Sequence, residues 1–519
     1  MATKARTMEA LTEDLRAERA KVLAGGGAER VAKQHEGGKL TARERIDALV
    51  DRNSFEEFGL FARHRAEHFG MAGKEVPADG VVTGAASVDG RLVHLASQDF
   101  TVMGGTAGEV HSLKVAEVMA HALRTGSPFV FVNDSGGARV QEGIDSLSGY
   151  GQVFHHNVML SGSVPQISII CGPCAGGAAY SPALTDFIIQ TRQAQMFITG
   201  PQVIKQVTGE QITADALGGP DAHMAHSGVI HFVADDDAQA LALARRLLSF
   251  LPSNNLEDPP RLPSDNAVEP NPELAKLVPV EGKQGYDVRR VIEGIVDGAD
   301  FLEVQAGHAM NIVVGFARLL GRSVGFIANQ PSVLSGVLDI DASDKAARFI
   351  RFCNAFNVPL VTLVDVPGFL PGVQQEYGGI IRHGAKMLFA YSAATVPKIQ
   401  LILRKSYGGA HLAMCSKDLG ADRVFAWPTA EIAVMGAEGA VEIVFRTEME
   451  AAPDRAAKRA ELIQRYKDTF SSPYMAAGRR LVDDIIEPAE TRKRLAQALE
   501  YLHAKRELRP PKKHGLIPL

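Results

Sequence analysis

The chain has 519 residues, 46% of them hydrophobic and 22% charged, the composition of a globular protein too long for a single hydrophobic core. Its net charge of −5 excludes a general basic bias towards nucleic acid or an anionic membrane surface. No apolar run reaches the ~18 residues that span a membrane, and the start of the chain lacks an apolar signal core. Four cysteines are too few for a disulfide framework, so a reducing, cytoplasmic setting without membrane insertion is expected.

The first part of the chain predicts two helices. Residues 8–23 are strongly charged and end at Gly25-Gly26-Gly27, a typical helix stop. Residues 41–51 place Ile46 and Leu49 on one helical face, and Thr41 is a suitable N-cap for that helix.

From Val81 onwards, strand-like and helix-like segments alternate. Two strand-like runs flank Asp89-Gly90, which is a tight-turn signal. Residues 111–126 predict a helix, and residues 128–134 and 163–173 predict short buried strands. Strand, helix and strand in this order are typical of crossover connections, so the sequence predicts an α/β fold.

A proline-rich segment divides the chain nearly in half. Residues 252–280 contain seven prolines together with Asn, Asp and Ser, a composition typical of a linker. We therefore expect an N-terminal domain of residues 1–262 and a C-terminal domain of residues 263–519.

The two halves also resemble each other, because the same residue types recur in the same order. The pairs 231 positions apart are Gly105 and Gly336, Lys114 and Lys345, and Pro128 and Pro359. The pairs 232 positions apart are Val164 and Val396, the segments Gly176–Ala178 and Gly408–Ala410, and Asp186 and Asp418. A constant offset with one slip is improbable in unrelated segments, so one α/β unit is predicted to occur twice.

The repeated Gly-Gly-Ala segment is the strongest candidate for chemistry. Gly176-Gly177-Ala178 and Gly408-Gly409-Ala410 each follow a predicted buried strand. Glycine allows a sharp turn, and a helix that begins there leaves N–H groups free to bind an oxyanion. A single such segment is more often a tight strand-to-helix connection, but two copies in a duplicated unit favour function.

A further glycine-rich segment, Gly136-Gly137-Ala138-Arg139, follows the strand of residues 128–134, and residues 365–369 are its counterpart. Both segments lie at the carboxyl end of a strand, where ligands bind in open α/β sheets. The guanidinium of Arg139 is suited either to a phosphate or carboxylate of a ligand or to a surface salt bridge, and the sequence leaves both open.

Several other motifs do not support a function. Cys171 and Cys174 form a C-x-x-C motif without a second cysteine pair, so we interpret them as ordinary buried residues and expect no zinc site. His155-His156 has no acidic or thiol neighbour at ligand spacing, and neither a P-loop nor a G-x-S-x-G motif is present. We therefore expect no metal, and chemistry that depends on backbone donors and a cofactor from outside the chain.

Several long segments resemble the biotin-dependent carboxyltransferase family. Among them are ASQDFTVMGG, NDSGGARVQEGIDSLSGYG, VPQISIICGPCAGGAAYSPALTDF, VDVPGFLPGVQQEYGGIIRHGAKML and RPPKKHGLIPL. The similarity runs from about Ala28 to the C-terminus and is nearest to propionyl-CoA carboxylase β subunits, methylmalonyl-CoA decarboxylase α subunits and transcarboxylase cores. It implies two tandem crotonase-like ββα-superhelix domains and a homo-hexamer built as a trimer of dimers, with the active site between the N-domain of one chain and the C-domain of its dimer partner.

The resemblance also implies a reaction, the transfer of a carboxyl group between carboxybiotin and a short acyl-CoA such as propionyl-CoA. The backbone of Gly176-Gly177-Ala178 would hold the thioester oxygen, and that of Gly408-Gly409-Ala410 the ureido oxygen of biotin. The segment Gly136-Gly137-Ala138-Arg139 would line the CoA side. His411-Leu412 stands where many propionyl-CoA carboxylases have Tyr-Asp, at a position that contributes to the choice of acyl chain.

The chain lacks the Lys-Met biotinylation motif of the family, so biotin must arrive on a partner, either a biotin carboxyl carrier protein or a biotinylated subunit. A biotin carboxylase or a second carboxyltransferase subunit is the further expected partner. The alternative is the α subunit of a sodium-pumping methylmalonyl-CoA decarboxylase. Carboxylase, transcarboxylase and decarboxylase contexts stay open at this point.

Overall fold

The computed structural model describes residues 7–264 and 267–519, which form two compact units. The first unit ends at Glu257 and the second begins at Asp258, within the proline-rich segment. Residues 265 and 266 of the predicted linker lie outside the described residues.

Unit 1 contains an eight-stranded sheet and most of its helices in the crossovers between strands. Its strands are β1 (Glu56–Phe58), β2 (Val81–Val88), β3 (Arg91–Gln98), β4 (Phe129–Ser135), β5 (Gln166–Ala175), β6 (Phe187–Thr191), β7 (Gln195–Phe197) and β8 (Phe232–Ala234). Its helices are α1 (Met8–Leu23), α2 (Ala28–Glu36), α3 (Ala42–Leu49), α4 (Glu109–Thr125), α5 (Ile144–Leu160), α6 (Tyr180–Leu184), α7 (Pro201–Thr208), α8 (Ala214–Gly218), α9 (Pro220–Ala222) and α10 (Asp237–Phe250).

Unit 2 repeats this arrangement. Its strands are β9 (Phe301–Val304), β10 (Ile312–Leu319), β11 (Arg322–Asn329), β12 (Leu360–Val366), β13 (Lys398–Tyr407), β14 (Arg423–Ala426), β15 (Glu431–Ala433) and β16 (Asp484–Ile485). Its helices are α11 (Leu274–Leu277), α12 (Val288–Glu293), α13 (Ile340–Ala355), α14 (Val373–Gly378), α15 (Ile380–Ala393), α16 (Gly408–Ala413), α17 (Ala437–Val444), α18 (Arg446–Glu450), α19 (Arg455–Tyr466), α20 (Pro473–Gly478) and α21 (Thr491–Tyr501).

The two sheets have the same topology. In unit 1 the order is β1-β2-β3-β4-β5-β6-β8, with β7 paired to β5; in unit 2 it is β9-β10-β11-β12-β13-β14-β16, with β15 paired to β13. The first three strands of each sheet pair antiparallel and the others pair parallel. The predicted α/β class and the predicted duplication are both confirmed.

The structure shows why the first predicted helices and the hairpin begin and end where they do. Helix α1 ends before Gly25, and the turn at Gly26 packs so closely on Thr101 that a Cβ there would lie 2.0 Å from the Thr101 carbonyl oxygen. Helix α3 begins with a capping box formed by Thr41 and Glu44. The predicted hairpin at Asp89-Gly90 joins β2 and β3.

Each sheet is held by apolar side chains packed between strands and crossover helices. In unit 1, Val118 and Met119 of α4 pack with Phe129 and Phe131 of β4. In unit 2, a larger cluster joins the sheet to α12 and α21, and Leu495 and Leu499 of α21 contribute to it. Each fully buried side chain of this kind stabilises the fold by roughly 1.5–3 kcal/mol.

Lys114 and Lys345, which recur at the same place in the two halves, have a structural role. Lys114 Nζ donates to the carbonyl oxygens of Ala78 (2.8 Å) and Val81 (2.5 Å). Lys345 Nζ donates to Gln305, His308 and Ile312 carbonyls at 2.8–3.0 Å. Burial lowers the pKa of both ammonium groups to about 8. Both lysines therefore satisfy carbonyls in the backbone that leads into the first long strand of their unit.

One matched pair from the sequence is not equivalent in space. The backbone and carboxylate of Asp186 bond to Gln166 at the start of β5, but the residue that does this for Lys398 at the start of β13 is Asp422. The match of Asp186 to Asp418 is therefore wrong by four residues, because a short helical turn at Lys417–Leu419 lengthens the connection in unit 2.

Replacing Lys345 with Met is expected to destabilise the chain, because several buried carbonyl groups lose their donor and each unpaired group costs about 1–3 kcal/mol. The measurement is the midpoint of urea unfolding. Lys276→Met is the matched control, because Lys276 is exposed and pairs with Glu273 at the surface. Equal midpoints for the two variants would contradict a structural role for Lys345.

Candidate functional site

The two Gly-Gly-Ala segments form the same turn at the ends of β5 and β13. Gly176 has φ +62° and Gly408 has φ +59°, a left-handed conformation that favours glycine. A 3₁₀ helix, Gly176–Ala179, continues into α6, and α16 begins directly at Gly408. The first N–H groups of a helix have no partner inside it, so each turn presents backbone donors at its strand end.

A neighbouring loop supplies a second donor in unit 1. After β4, Gly137 O accepts from Ala107 N and Arg139 N donates to Ala107 O, both at 2.9 Å. Because N–H directions alternate along an extended chain, the N–H of Ala138 points away from Ala107 and towards the β5 side. The loop lies against that side, since a Cβ on Gly137 would be 2.9 Å from Ala175 O.

Unit 2 repeats this loop with one different residue. Leu338 N donates to Gly368 O at 3.1 Å and Leu370 N donates to Leu338 O at 2.8 Å, so the N–H of Phe369 corresponds to that of Ala138. Residues 365–369 were predicted only as a counterpart of the first loop, although the offset of 231 positions already pairs Phe369 with Ala138. Each unit therefore brings two segments with free backbone donors to one edge of its sheet.

The surroundings of the two turns differ. A Cβ on Gly177 would lie 3.3 Å from the ring of Tyr150 in α5. In unit 2 the nearby ring is Phe369, which would be 3.9 Å from a Cβ on Gly409 and 2.9 Å from one on Gly384. The second turn is thus flanked by an aromatic ring from the loop itself, where unit 1 has the methyl group of Ala138.

A large basic cleft adjoins the loop of unit 1, and sequence reasoning missed it. The cleft has a volume of about 1170 Å³, and Gly136 and Ala138 form part of its wall. Its charged lining residues are Lys21, Arg30, Lys33, Lys39, Lys74 and Glu75. Four of these cations are spread among apolar, glycine and acidic residues between positions 21 and 39, and Lys74 comes from a separate part of the chain, so no local charge run signalled them. The excess of positive charge suits a ligand with several phosphates.

The expectation that the Arg139 side chain binds a ligand is wrong, because its guanidinium is bonded to protein groups. The side chain is fully buried, and Nη1 donates to Asp79 Oδ1 at 2.5 Å and to Glu142 Oε1 at 2.7 Å. Nη2 donates to Thr106 O at 2.9 Å. Arg139 does form a salt bridge, but in a buried ion cluster and not at the surface. This cluster holds the loop that follows β4 in place.

Buried ion pairs also hold the strand that precedes each loop. Asp134 of β4 pairs with Arg45 at 2.9 Å and with Lys39 at 2.7 Å. The equivalent Asp365 of β12 pairs with Arg404 at 2.9 Å. Lys39 also lines the basic cleft, so the carboxylate of Asp134 helps to position one of its cations.

His411 and Leu412 lie in α16, immediately after the second turn. Leu412 is exposed, and His411 is partly buried with its Nδ1 2.8 Å from Ser406 Oγ. Burial lowers the pKa of His411, against the opposing effect of Asp418. No sequence motif indicated that a serine and a histidine would be in contact here. Ser406 is fully buried and so is not an exposed nucleophile.

The C-x-x-C cysteines are buried free thiols, as predicted. Burial raises the pKa of the Cys174 thiol to about 12 and raises that of Cys171 as well. Within residues 7–264 and 267–519, no group of three or more His, Cys, Asp or Glu side chains is placed to hold a metal ion. No helix of that part of the chain is long and apolar enough to cross a membrane.

Each α/β unit presents paired backbone donors at one edge of its sheet, and in unit 1 a basic cleft lies beside them. The chain belongs to the carboxyl transferase family, whose domain matches residues 33–517. The two crotonase-like domains expected from the resemblance are confirmed.

Curated relatives cover nearly the whole chain. It is 64% identical over 514 residues to the methylmalonyl-CoA carboxyltransferase 12S subunit of Propionibacterium freudenreichii subsp. shermanii, covering 99% of this chain and 98% of that one. It is 55% identical over 515 residues to the carboxyltransferase subunit of propionyl-CoA carboxylase from Haloferax mediterranei, covering 99% and 100%. The methylmalonyl-CoA decarboxylase subunit alpha of Propionigenium modestum is also 55% identical, over 509 residues, covering 98% of each chain.

A solved structure is equally similar. The crystal structure of transcarboxylase 12S with methylmalonyl-coenzyme A and methylmalonic acid bound superposes with a TM-score of 0.98. The two chains are 64% identical, and each is covered completely. That protein is described as a hexamer and as the core of a multienzyme complex.

Arg139→Met is expected to destabilise the fold by about 3–5 kcal/mol, because it leaves the buried carboxylates of Asp79 and Glu142 without their cation. The free energy of unfolding in urea tests this. Arg446→Met is the control, since Arg446 forms an exposed pair with Glu450. If Arg139→Met instead had the stability of the wild type but bound its ligand more weakly, the Arg139 side chain would be a ligand contact after all.

Proposed function

We propose that this chain is the carboxyltransferase component that moves a carboxyl group between carboxybiotin, carried on another protein, and a short acyl-CoA. Propionyl-CoA and methylmalonyl-CoA are the proposed substrate pair, because the relatives that share 64% and 55% of its residues bear those names. The observation that carries the proposal is the duplicated pair of backbone donors, which provides one oxyanion site in each unit.

We assign the acyl-CoA to unit 1. Coenzyme A carries several phosphate groups, and five cations line the basic cleft beside Gly136 and Ala138. Two of these cations also have acidic partners, since Lys21 pairs with Glu18 and Lys39 pairs with Asp134. The thioester would then lie at the end of β5, where the N–H groups of Ala138 and the Gly176-Gly177-Ala178 turn can receive its oxygen. Arg139 contributes to this site through the position of its backbone, since its side chain is buried.

We assign the biotin ring to unit 2. The site there fits a cyclic urea, because the N–H groups of Phe369 and the Gly408-Gly409-Ala410 turn offer donors for one oxygen, and the ring of Phe369 offers a flat wall. Biotin, when bound, supplies the carboxyl group and the base for the α-proton of the acyl-CoA. His411 and Leu412 border the site, and the apolar Leu412 is expected to influence which acyl chain is accepted.

The chain's own contribution is electrostatic. An oxygen that gains negative charge during the reaction receives two preorganised N–H donors, and such donors are typically worth several kcal/mol in the transition state. The buried pairs Asp134–Arg45 and Asp365–Arg404 keep the strand ends in place, so little reorganisation is needed when charge develops. No nucleophilic side chain is required for this role.

The assembly and the partners are part of the proposal. The transcarboxylase 12S relative is described as a hexamer in a multienzyme core, and we expect this chain to form a homo-hexamer that receives a biotinylated partner. A biotin carboxylase or a second carboxyltransferase subunit completes the reaction cycle. We place the reaction in the cytoplasm, which suits four buried free thiols.

The second candidate is the α subunit of a methylmalonyl-CoA decarboxylase. Its basis is the relative of that name in Propionigenium modestum, which is 55% identical to this chain. The neighbouring gene distinguishes the candidates: a membrane-bound decarboxylase subunit favours this one, a biotin carboxylase favours a carboxylase, and a pyruvate-specific carboxyltransferase favours a transcarboxylase.

Gly409→Pro is expected to lower carboxyl transfer about 10²–10³-fold, because proline removes a donor from the second site. Gly409→Ala is the matched control; it keeps the N–H, and its Cβ meets Phe369 at an ordinary 3.9 Å. The assay is the discharge of carboxybiotin by propionyl-CoA. Unimpaired transfer in the proline variant would refute the assignment of this turn, and Gly177→Pro tests the first site in the same way.

Lys33→Glu is expected to weaken acyl-CoA binding about three- to tenfold at low salt and less at high salt, because it reverses one exposed charge in the cleft. Titration calorimetry with propionyl-CoA at two salt concentrations measures this. Lys276→Glu, in unit 2, is the control. Affinities that match the control at both salt concentrations would show that the phosphates bind elsewhere.

A further inference from the structure

A serine and a histidine lie side by side next to the turn of unit 2. Ser406, in β13, is fully buried, and its Oγ is 2.8 Å from Nδ1 of His411. His411 comes one helical turn after Gly408 in α16, and helical side chains lean towards the N-terminus of their helix. Its ring therefore lies alongside the turn of Gly408 and Gly409.

This hydrogen bond selects one form of the imidazole. A buried hydroxyl is more stable when its hydrogen meets an acceptor, and in the described part of the chain the partner of Ser406 Oγ is His411 Nδ1. Nδ1 is then the acceptor, and the ring proton of the neutral imidazole sits on Nε2. Since Nδ1 faces the buried serine and the residue is partly exposed, Nε2–H is the edge that faces outward.

Unit 1 has no comparable pair at the equivalent positions. There, 232 positions earlier, Cys174 replaces Ser406 and Ala179 replaces His411. The Cys174 Sγ instead donates to the Ala178 carbonyl oxygen at 3.4 Å. Because both units form the same glycine turn, the turn itself does not need a serine–histidine pair. The pair is therefore a specialisation of the second site.

We propose that His411 is a third hydrogen-bond donor of the second site, and that its Nε2–H donates to the ureido or carboxyl oxygen of carboxybiotin. Ser406 is a positioning residue that keeps the proton on Nε2. The inference rests on the proposed function and deepens it, since it names a side chain that recognises the cyclic urea beside the backbone donors. His411 neither forms a covalent bond nor transfers a proton in this role.

The test measures carboxyl transfer from methylmalonyl-CoA to free biocytin by the purified full chain. His411→Phe keeps a ring of similar size but removes the donor, whereas His411→Gln keeps an amide N–H near the place of Nε2. We expect kcat with biocytin to fall about 10–100-fold in the phenylalanine variant and less than about fivefold in the glutamine variant. The Kd of methylmalonyl-CoA should stay within about twofold of wild type in both, because the phosphates of CoA are assigned to the basic cleft of unit 1, which neither variant changes.

Two conservative substitutions test the positioning role of Ser406. Ser406→Ala should lower kcat with biocytin about three- to fivefold, because the imidazole is no longer held in one tautomer, while KM for methylmalonyl-CoA is unchanged. Ser406→Thr keeps the hydroxyl and should restore kcat. If Ser406 only filled space in the core, Ser406→Ala would not lower kcat while leaving KM unchanged, and Ser406→Thr would not restore kcat.

Three results overturn the inference. If the wild-type chain transfers carboxyl groups and His411→Phe does so at the same rate, His411 is not a donor and the proposed function still stands. If the wild-type chain transfers none, the proposed function fails together with the inference. Should His411→Phe fail to assemble, the alanine and threonine variants of Ser406 decide the question, and equal kcat values for them overturn it.

Discussion

A left-handed glycine at the end of a central parallel strand is the constraint on which the structure depends. At Gly176 and Gly408 the chain leaves its sheet in a conformation that other residues rarely adopt and enters a helix at once. The N–H groups at that point have no partner in the strand or the helix. We propose an anionic oxygen as the partner that satisfies them, and the loops at Gly137 and Gly368 bring one more donor to each turn.

The rest of each unit keeps that edge rigid while letting the two sites differ. Buried carboxylates at Asp134 and Asp365 are paired with arginines, and lysines at positions 114 and 345 satisfy carbonyls that would otherwise be unpaired. These features occur in both units. The features that occur in one unit are the basic cleft of unit 1 and the Phe369 ring and the Ser406–His411 pair of unit 2. On the proposed function, the duplicated backbone carries side chains for two different ligands.

Much of this arrangement could be predicted from the sequence, because its signals are local or repeated. The helix stop at Gly25, the hairpin at Asp89-Gly90, the buried strands and the 231-residue offset all depend on residues close in sequence or on a fixed spacing. The match of Asp186 to Asp418 was wrong because a constant offset cannot detect an extra helical turn.

The features that sequence reasoning missed depend on residues brought together by folding. The cations of the cleft lie as far apart in the chain as Lys21 and Lys74, and Ser406 meets His411 because the chain turns at Gly408 from β13 into α16. Arg139 looked equally suited to a ligand and to a surface pair, and its burial against Asp79, 60 positions away, decided its role.

The most direct measurement is a crystal structure of the chain with propionyl-CoA and biotin bound. We expect the thioester oxygen to lie about 2.7–3.1 Å from the backbone nitrogens of Ala138 and the Gly176–Ala178 turn. We expect the ureido oxygen to lie equally close to those of Phe369 and the Gly408–Ala410 turn. Ligand oxygens paired with side chains at a distance from both turns would contradict these expectations.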